Sequence, residues 1–302
     1  MEFFKKFKFP IISILVSSLL IILGLCSNTR PVLSTAEVSA ADTAWMITAT
    51  ALILIMTPGL AFFYGGMVAK KNVLSTMLQS FVCMALITVL WIIFGFSLSF
   101  GESIGGFIGN PIQYFMMNGV LEGNPWVLAP TIPLIAFAFF QLKFAVITPA
   151  LITGAFAGRV RFLPYLLFIT LFSIFIYSPL AHMAWHPDGF LLKLGVLDFA
   201  GGTVVHMSAG IAALACAIYL QARNETEVTP ARISYVLIGT GLLWFGWIGF
   251  NAGSAFGANA LAAVSLATTA AASASAGFYH SWRWFRKKKG VPAREIQGIQ
   301  KK

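Results

Sequence analysis

Residues 198–220, DFAGGTVVHMSAGIAALACAIYL, place a carboxylate and an imidazole in one long apolar run. Asp198, Gly202, His206 and Gly210 recur at steps of four, which sets them along one side of a helix. Imidazole is the side chain that titrates near neutrality unaided. An ionisable group inside an apolar span is costly enough to read as functional, so the chemistry expected at His206 is proton handling rather than only a bond to a neighbouring helix. Glycines at that spacing leave a lane where another backbone or a small solute can come close. Other constellations are weaker. His182 and His186 stand at i and i+4, a metal-binding spacing, but Trp185 and Pro187 crowd them and no third ligand follows, so no metal is expected. Asp198, His206 and Ser254 hold the groups of a serine hydrolase, yet Ala252-Gly253-Ser254-Ala255 lacks a nucleophile elbow. Cys26, Cys83 and Cys216 form no disulfide or metal spacing. No enzyme activity and no cofactor are expected.

The elements that must carry these residues are membrane helices. The chain is 58% hydrophobic and 10% charged, with a mean hydropathy of +0.84, which excludes a soluble globular domain. The net charge of +10 sits at the two ends: +3 over residues 1–30, +7 over 283–302, and zero between. Such flanking charge orients membrane segments and offers no basic face for nucleic acid. Residues 1–40 read as a signal peptide: Lys5, Lys6 and Lys8, then an apolar stretch, then Val38-Ser39-Ala40. About seven spans follow, near 44–69, 73–100, 129–156, 162–185, 197–221, 232–256 and 259–283. Basic residues follow every odd span, so these run from outside to inside, with the mature N-terminus outside and the basic tail, 284–302, cytoplasmic. The expected fold is an all-α polytopic helical membrane domain over 41–283. Pro58 should bend the first span, and Gly249, Gly253 and Gly257 should let the sixth pack closely.

DFAGGTVVH resembles the pore-helix motif of the ammonium transporter (Amt/Mep/Rh) family. TPGLAFFYGG at 57–66, KNVLS at 71–75, FGFSLSFG at 94–101, AHMAW at 181–185 and GWIGFNAGS at 246–254 match in family order, covering roughly 42–276. The resemblance implies the first inverted repeat of an eleven-helix fold plus the start of the second. It implies an inner-membrane homotrimer that carries ammonium or ammonia. By the same resemblance Phe140, Phe144, Trp185 and Ser254 form an outer site for the cation, and Asp198 lies near it, capping its helix and making the mouth negative. Phe144 and Phe250 resemble the stacked rings that close the pore, Trp247 lines its lower part, and His206 is one of a proton-sharing pair. The scheme recruits ammonium, deprotonates it, and passes ammonia and the proton separately. A nitrogen-signalling protein of the PII type is the partner the family suggests.

Three departures accompany the likeness. After about residue 276 the sequence stops following the family and becomes basic and amphipathic, so the partner histidine of a later helix and the regulatory tail are missing, and a PII partner is doubtful. Lys143 stands just before Phe144 where the family has a small or apolar residue, and a lysine there should repel a cation. Gly158 replaces the glutamate of the family's A-E-R turn. Together they set up an alternative: a truncated, non-conducting member that binds ammonium or assembles with a full-length transporter. A seven-helix retinal protein is set aside because 259–283 holds no lysine.

Overall fold

The computed structural model describes residues 33–121, 124–223 and 230–288, with side chains described as far as residue 275. Most of the expected signal peptide and all of the tail beyond residue 288 therefore lie outside the described residues. Residues 33–39 are placed: Ser34 and Ser39 N–H groups donate to Pro125 O and Thr131 O at 2.7 and 2.8 Å. The Ser39 hydroxyl accepts from Asp42 N–H at 3.3 Å and caps the first helix.

That helix is α1 (Ala40–Leu54), and α2 (Met56–Met67) continues it. The junction at Ile55 lies one turn before Pro58, which has no N–H to bond Leu54 O, so the expected bend is present. A second span runs from α3 (Val73–Leu90) through a π-helical turn, Trp91–Gly95, into α4 (Phe96–Phe100). A short hairpin, Ser103–Ile104 against Ile108–Gly109, follows it. The third span, α5 (Leu134–Phe156), is the most deeply buried and forms the axis of the bundle. The fourth comprises α6 (Phe162–Phe172), a π turn at Ser173–Tyr177 and α7 (Ser178–Trp185), followed by the short α8 (Phe190–Lys193). The fifth opens with a π turn, Gly202–Met207, and continues as α9 (Ser208–Leu220). The sixth joins α10 (Ile233–Trp247) to a π turn at Ile248–Ala252.

Among the described residues six helical runs are long and apolar enough to cross a membrane. The seventh helix, α11 (Ala260–Lys288), is continuous over 29 residues, and its described side chains, to Ser275, are apolar in character. α1, α3 and α9 pack around α5, and α10 lies against α2. The last contact depends on absent side chains. A Cβ on Gly59 would stand 2.9 Å from Leu242 Cβ, and one on Gly239 would strike Phe63 N. Leu74, Leu167, Leu214 and Leu237 are exposed on the outside of the bundle, as a bilayer requires.

Candidate functional site

The fifth span begins at Gly202, five residues later than the expected 197, and this corrects the expected stripe. Asp198 lies ahead of the helix, not on it. Its Oδ1 accepts from Gly201 and Gly202 N–H at 2.6 and 2.8 Å, and its Oδ2 from Thr203 and Val204 N–H at 2.9 and 2.8 Å. One carboxylate thus satisfies four N–H groups at the helix start, where a negative charge also suits the helix dipole. Gly201 sits between at φ +86, a left-handed conformation that glycine adopts without strain. The first turn is π-helical, so the four-residue stepping does not hold through it. No described atom comes within 4 Å of where a Cβ would stand on Gly202 or Gly210, so the expected lane is an open surface.

Asp198 also fixes an aromatic. Its backbone carbonyl accepts the Trp185 indole N–H at 2.8 Å, so the end of α7 is tied to the start of the fifth span. Trp185 meets Phe144 edge-on, with centroids 5.9 Å apart at 87°. Phe144 in turn stacks on Phe250 at 4.2 Å and 30°. Both phenyl rings are about 1% exposed, so the stack itself is shielded from solvent. The Ser254 hydroxyl donates to Phe250 O at 2.9 Å, one turn earlier in the chain, and keeps its lone pairs for an incoming donor.

Trp185, Asp198, Ser254 and Phe144 line one cavity of about 310 Å³. Trp126, Phe137, Gln141 and Phe256 line it too, and the sequence reading did not select them. Phe137, Gln141 and Phe144 step by four and three along α5, a spacing that could have shown their common face. Trp126 and Phe256 lie outside regular helix and carry no periodic signal. Phe140 is fully buried, 5.0 Å from Phe144 and 5.8 Å from Phe256, and is not among the residues lining this cavity. Lys143, beside Phe144 in sequence, is half-buried and also lies outside the lining.

A groove of about 450 Å³ adjoins this cavity, sharing Leu197, Asp198 and Phe199 with it, and is lined further by His206, Trp247, Asn251, Thr268 and Thr269. The His206 ring is centred 5.9 Å from Phe250 and 6.5 Å from Trp247. His206 is exposed to this groove, which the described residues close on one side only. π turns carry both His206 and Phe250; such turns shift the phase of a helix and are common at functional positions.

His182 and His186 do not form a metal site. Their rings stack at 4.3 Å, and the His182 nitrogens bond Ser99 O at 3.0 Å and Ser103 Oγ at 2.9 Å. Among the described residues no group of three or more His, Cys, Asp or Glu could hold a metal. Gly158 has a conformational reason to be glycine. Its φ is +72, and a Cβ there would meet Asn72 Nδ2 at 2.6 Å.

Six apolar helical runs among the described residues and a series of rings from Trp185 through Phe144 and Phe250 to His206 define a polytopic helical membrane protein. The chain belongs to the ammonium transporter family: the model of the Ammonium Transporter Family matches residues 44–298. An ammonium transporter of Aquifex aeolicus is 47% identical over 244 residues, 80% of this chain and 57% of the relative. One from Mycobacterium tuberculosis is 46% identical over 259 residues, 78% of this chain and 54% of the relative. The crystal structure of Candida albicans Mep2 aligns with a TM-score of 0.76 at 34% identity, covering 83% of this chain and 56% of that one. The chain thus spans a little over half the length of these relatives.

Proposed function

We propose that the protein carries ammonium or ammonia across a membrane by way of the Trp185 cavity, the phenyl stack and the His206 groove. The observation that supports this best is the Phe144–Phe250 stack, because Phe144 meets Trp185 in the cavity and Phe250 lies 5.9 Å from the titratable His206 ring. An unpaired cation in a low-dielectric interior costs many kcal/mol, so the ion cannot pass the stack with its charge intact. The cavity offers what ammonium lacks once it sheds water. Trp185 and Phe144 supply aromatic faces, each worth about 0.5–2 kcal/mol to a cation. Ser254 accepts a hydrogen bond, and the Asp198 carboxylate keeps the mouth negative. Ammonia then moves between the phenyl rings, and the proton travels separately to His206.

In this reading the N-terminus faces outside, the end bearing Lys71, Arg159 and Arg223 faces the cytoplasm, and the protein lies in the inner membrane. A homotrimer and a PII-type partner are carried as part of the same proposal. A second reading is favoured by the open groove beside His206: the chain binds ammonium and conducts only when further polypeptide closes that side. Proteoliposomes with an internal pH dye separate the two. Conduction gives an ammonium-dependent signal above that of empty liposomes; binding alone gives retention of ammonium with no such signal.

A further inference from the structure

Between the short hairpin and α5 the chain makes a loop, 111–121, whose exposed side is apolar. Its sequence, PIQYFMMNGVL, holds no charged residue, and the nearest in sequence are Glu102 and Glu122. The polar Gln113 side chain is turned to the protein, where its Oε1 accepts from Glu102 N–H at 2.5 Å. Ile112, Phe115 and Met116 are turned outward and are 58%, 48% and 57% exposed. Tyr114 and Val120 are buried and fasten the loop. The Tyr114 ring lies 5.2 Å from Phe96, and its N–H donates to Ser97 Oγ at 3.0 Å. Single apolar residues on a surface are ordinary, but three within five residues of an anchored loop mark a contact. Trp126, which follows, lines the Trp185 cavity, so the loop stands at that end of the bundle.

The loop lies beside the second span rather than above it. Phe115–Met117 packs on the π turn Trp91–Gly95, whereas the span ends at Phe100. At 1.5 Å per residue that turn is about 8–14 Å below the end, close to the depth at which interfacial segments bury an apolar face. Leu74, Leu78, Phe81 and Val89 form the exposed apolar stripe of the span, and no residue of Trp91–Gly95 is exposed. Where the stripe stops, Phe115 and Met116 supply the exposed apolar surface instead. Irregular backbone at that depth must satisfy its own polar groups. The N–H groups of Phe115, Met117, Asn118 and Val120 donate to Ile112, Tyr114, Phe115 and Met117 O at 2.9–3.1 Å. Met116 and Met117 hold φ values of +56 and +61, a left-handed backbone that residues other than glycine rarely adopt, so the fold imposes this shape. We propose that the loop is an interfacial anchor, with Ile112, Phe115 and Met116 seated among the acyl chains of the leaflet at the Trp185 end. Continuity with the lipid-facing stripe favours lipid over a second copy of the chain. The inference needs only that the spans cross a bilayer, and it stands apart from any transport activity.

Spin labels on the full chain in phosphatidylcholine liposomes test it, with Cys26, Cys83 and Cys216 replaced by alanine. Ile112→Cys and Met116→Cys each carry a nitroxide, so one position serves where the other folds poorly. Leu78→Cys in the stripe is the lipid reference, and Lys193→Cys, whose side chain is 60% exposed at the Trp185 end, is the water reference. Molecular oxygen concentrates in acyl chains and a nickel chelate stays in water, so the ratio of their collision rates reads the surroundings of each label. At 112 and 116 the ratio should lie within about twofold of that at 78 and at least about fivefold above that at 193. A ratio equal to that at 193 would put the loop in water and overturn the assignment. Labels reached by neither reagent would put protein over the loop, a second copy or another segment of the chain, and would overturn it equally.

Discussion

Asp198 gives the sharpest test of how the site is built. Its carboxylate accepts four backbone N–H bonds of 2.6–2.9 Å, from Gly201, Gly202, Thr203 and Val204. A hydrogen bond to a charged group contributes about 1.5–3 kcal/mol, and a lost cap costs about 0.5–2 kcal/mol. Gly202 is exposed, so water replaces its partner at little cost, whereas Val204 is buried and cannot be rescued. Discounting the exposed donors for solvent screening, Asp198→Ala should destabilise the protein by about 3–5 kcal/mol. Asp198→Asn keeps one acceptor oxygen but turns an NH2 group towards N–H donors, and should lose about half as much. Equilibrium denaturation in detergent micelles, with wild type, Asn and Ala in parallel, reads both values. Because Trp185 is tied to the Asp198 carbonyl, indole fluorescence should shift in the same transition. An Ala variant within about 1 kcal/mol of wild type would refute the view that this carboxylate holds the start of the pore helix.

Phe250→Ala removes a fully buried ring and should cost about 3–5 kcal/mol; in liposomes it should also admit potassium, which a flux assay with that ion would detect. Trp185→Phe loses the indole bond, about 0.5–1.5 kcal/mol in a melting experiment, and should weaken apparent ammonium affinity severalfold while leaving the maximal signal near wild type. His182→Leu removes the bonds to Ser99 O and to Ser103 Oγ, which keeps only its bond from Gly106 N–H, and should cost about 1–3 kcal/mol. Added zinc should raise the melting temperature of neither His182→Leu nor wild type, since both His182 nitrogens are already bonded.

The features visible in the sequence were those set by periodicity and solvent. The apolar runs and the proline at 58 mark spans and a bend because hydropathy and a missing N–H act locally. The association of Phe144, Trp185, Ser254 and Phe250 came from motif likeness, which aromatic composition alone does not give in a chain with 28 phenylalanines. What was not legible depended on backbone geometry. The stepping of Asp198, Gly202 and His206 suggested one continuous helix, but a carboxylate that caps four N–H groups must stand outside it. π turns at Gly202–Met207 and Ile248–Ala252 change the facing of His206 and Phe250 by an inserted residue, and hydropathy does not register this. Phe140 is not among the residues lining the cavity because the side of α5 that lines it runs through Phe137, Gln141 and Phe144. Trp126 and Phe256 reach the cavity from irregular backbone, where long-range packing alone decides position.

The central claim is that the phenyl stack separates recruitment of the cation from handling of its proton at His206. The most direct measurement is the transient current evoked by an ammonium pulse on a solid-supported membrane of proteoliposomes, for wild type and His206→Ala side by side. The account predicts a wild-type current above that of protein-free liposomes, reduced at least tenfold in His206→Ala while ammonium retention at the Trp185 cavity persists. Currents of equal size in the two proteins, or none in wild type, would contradict it.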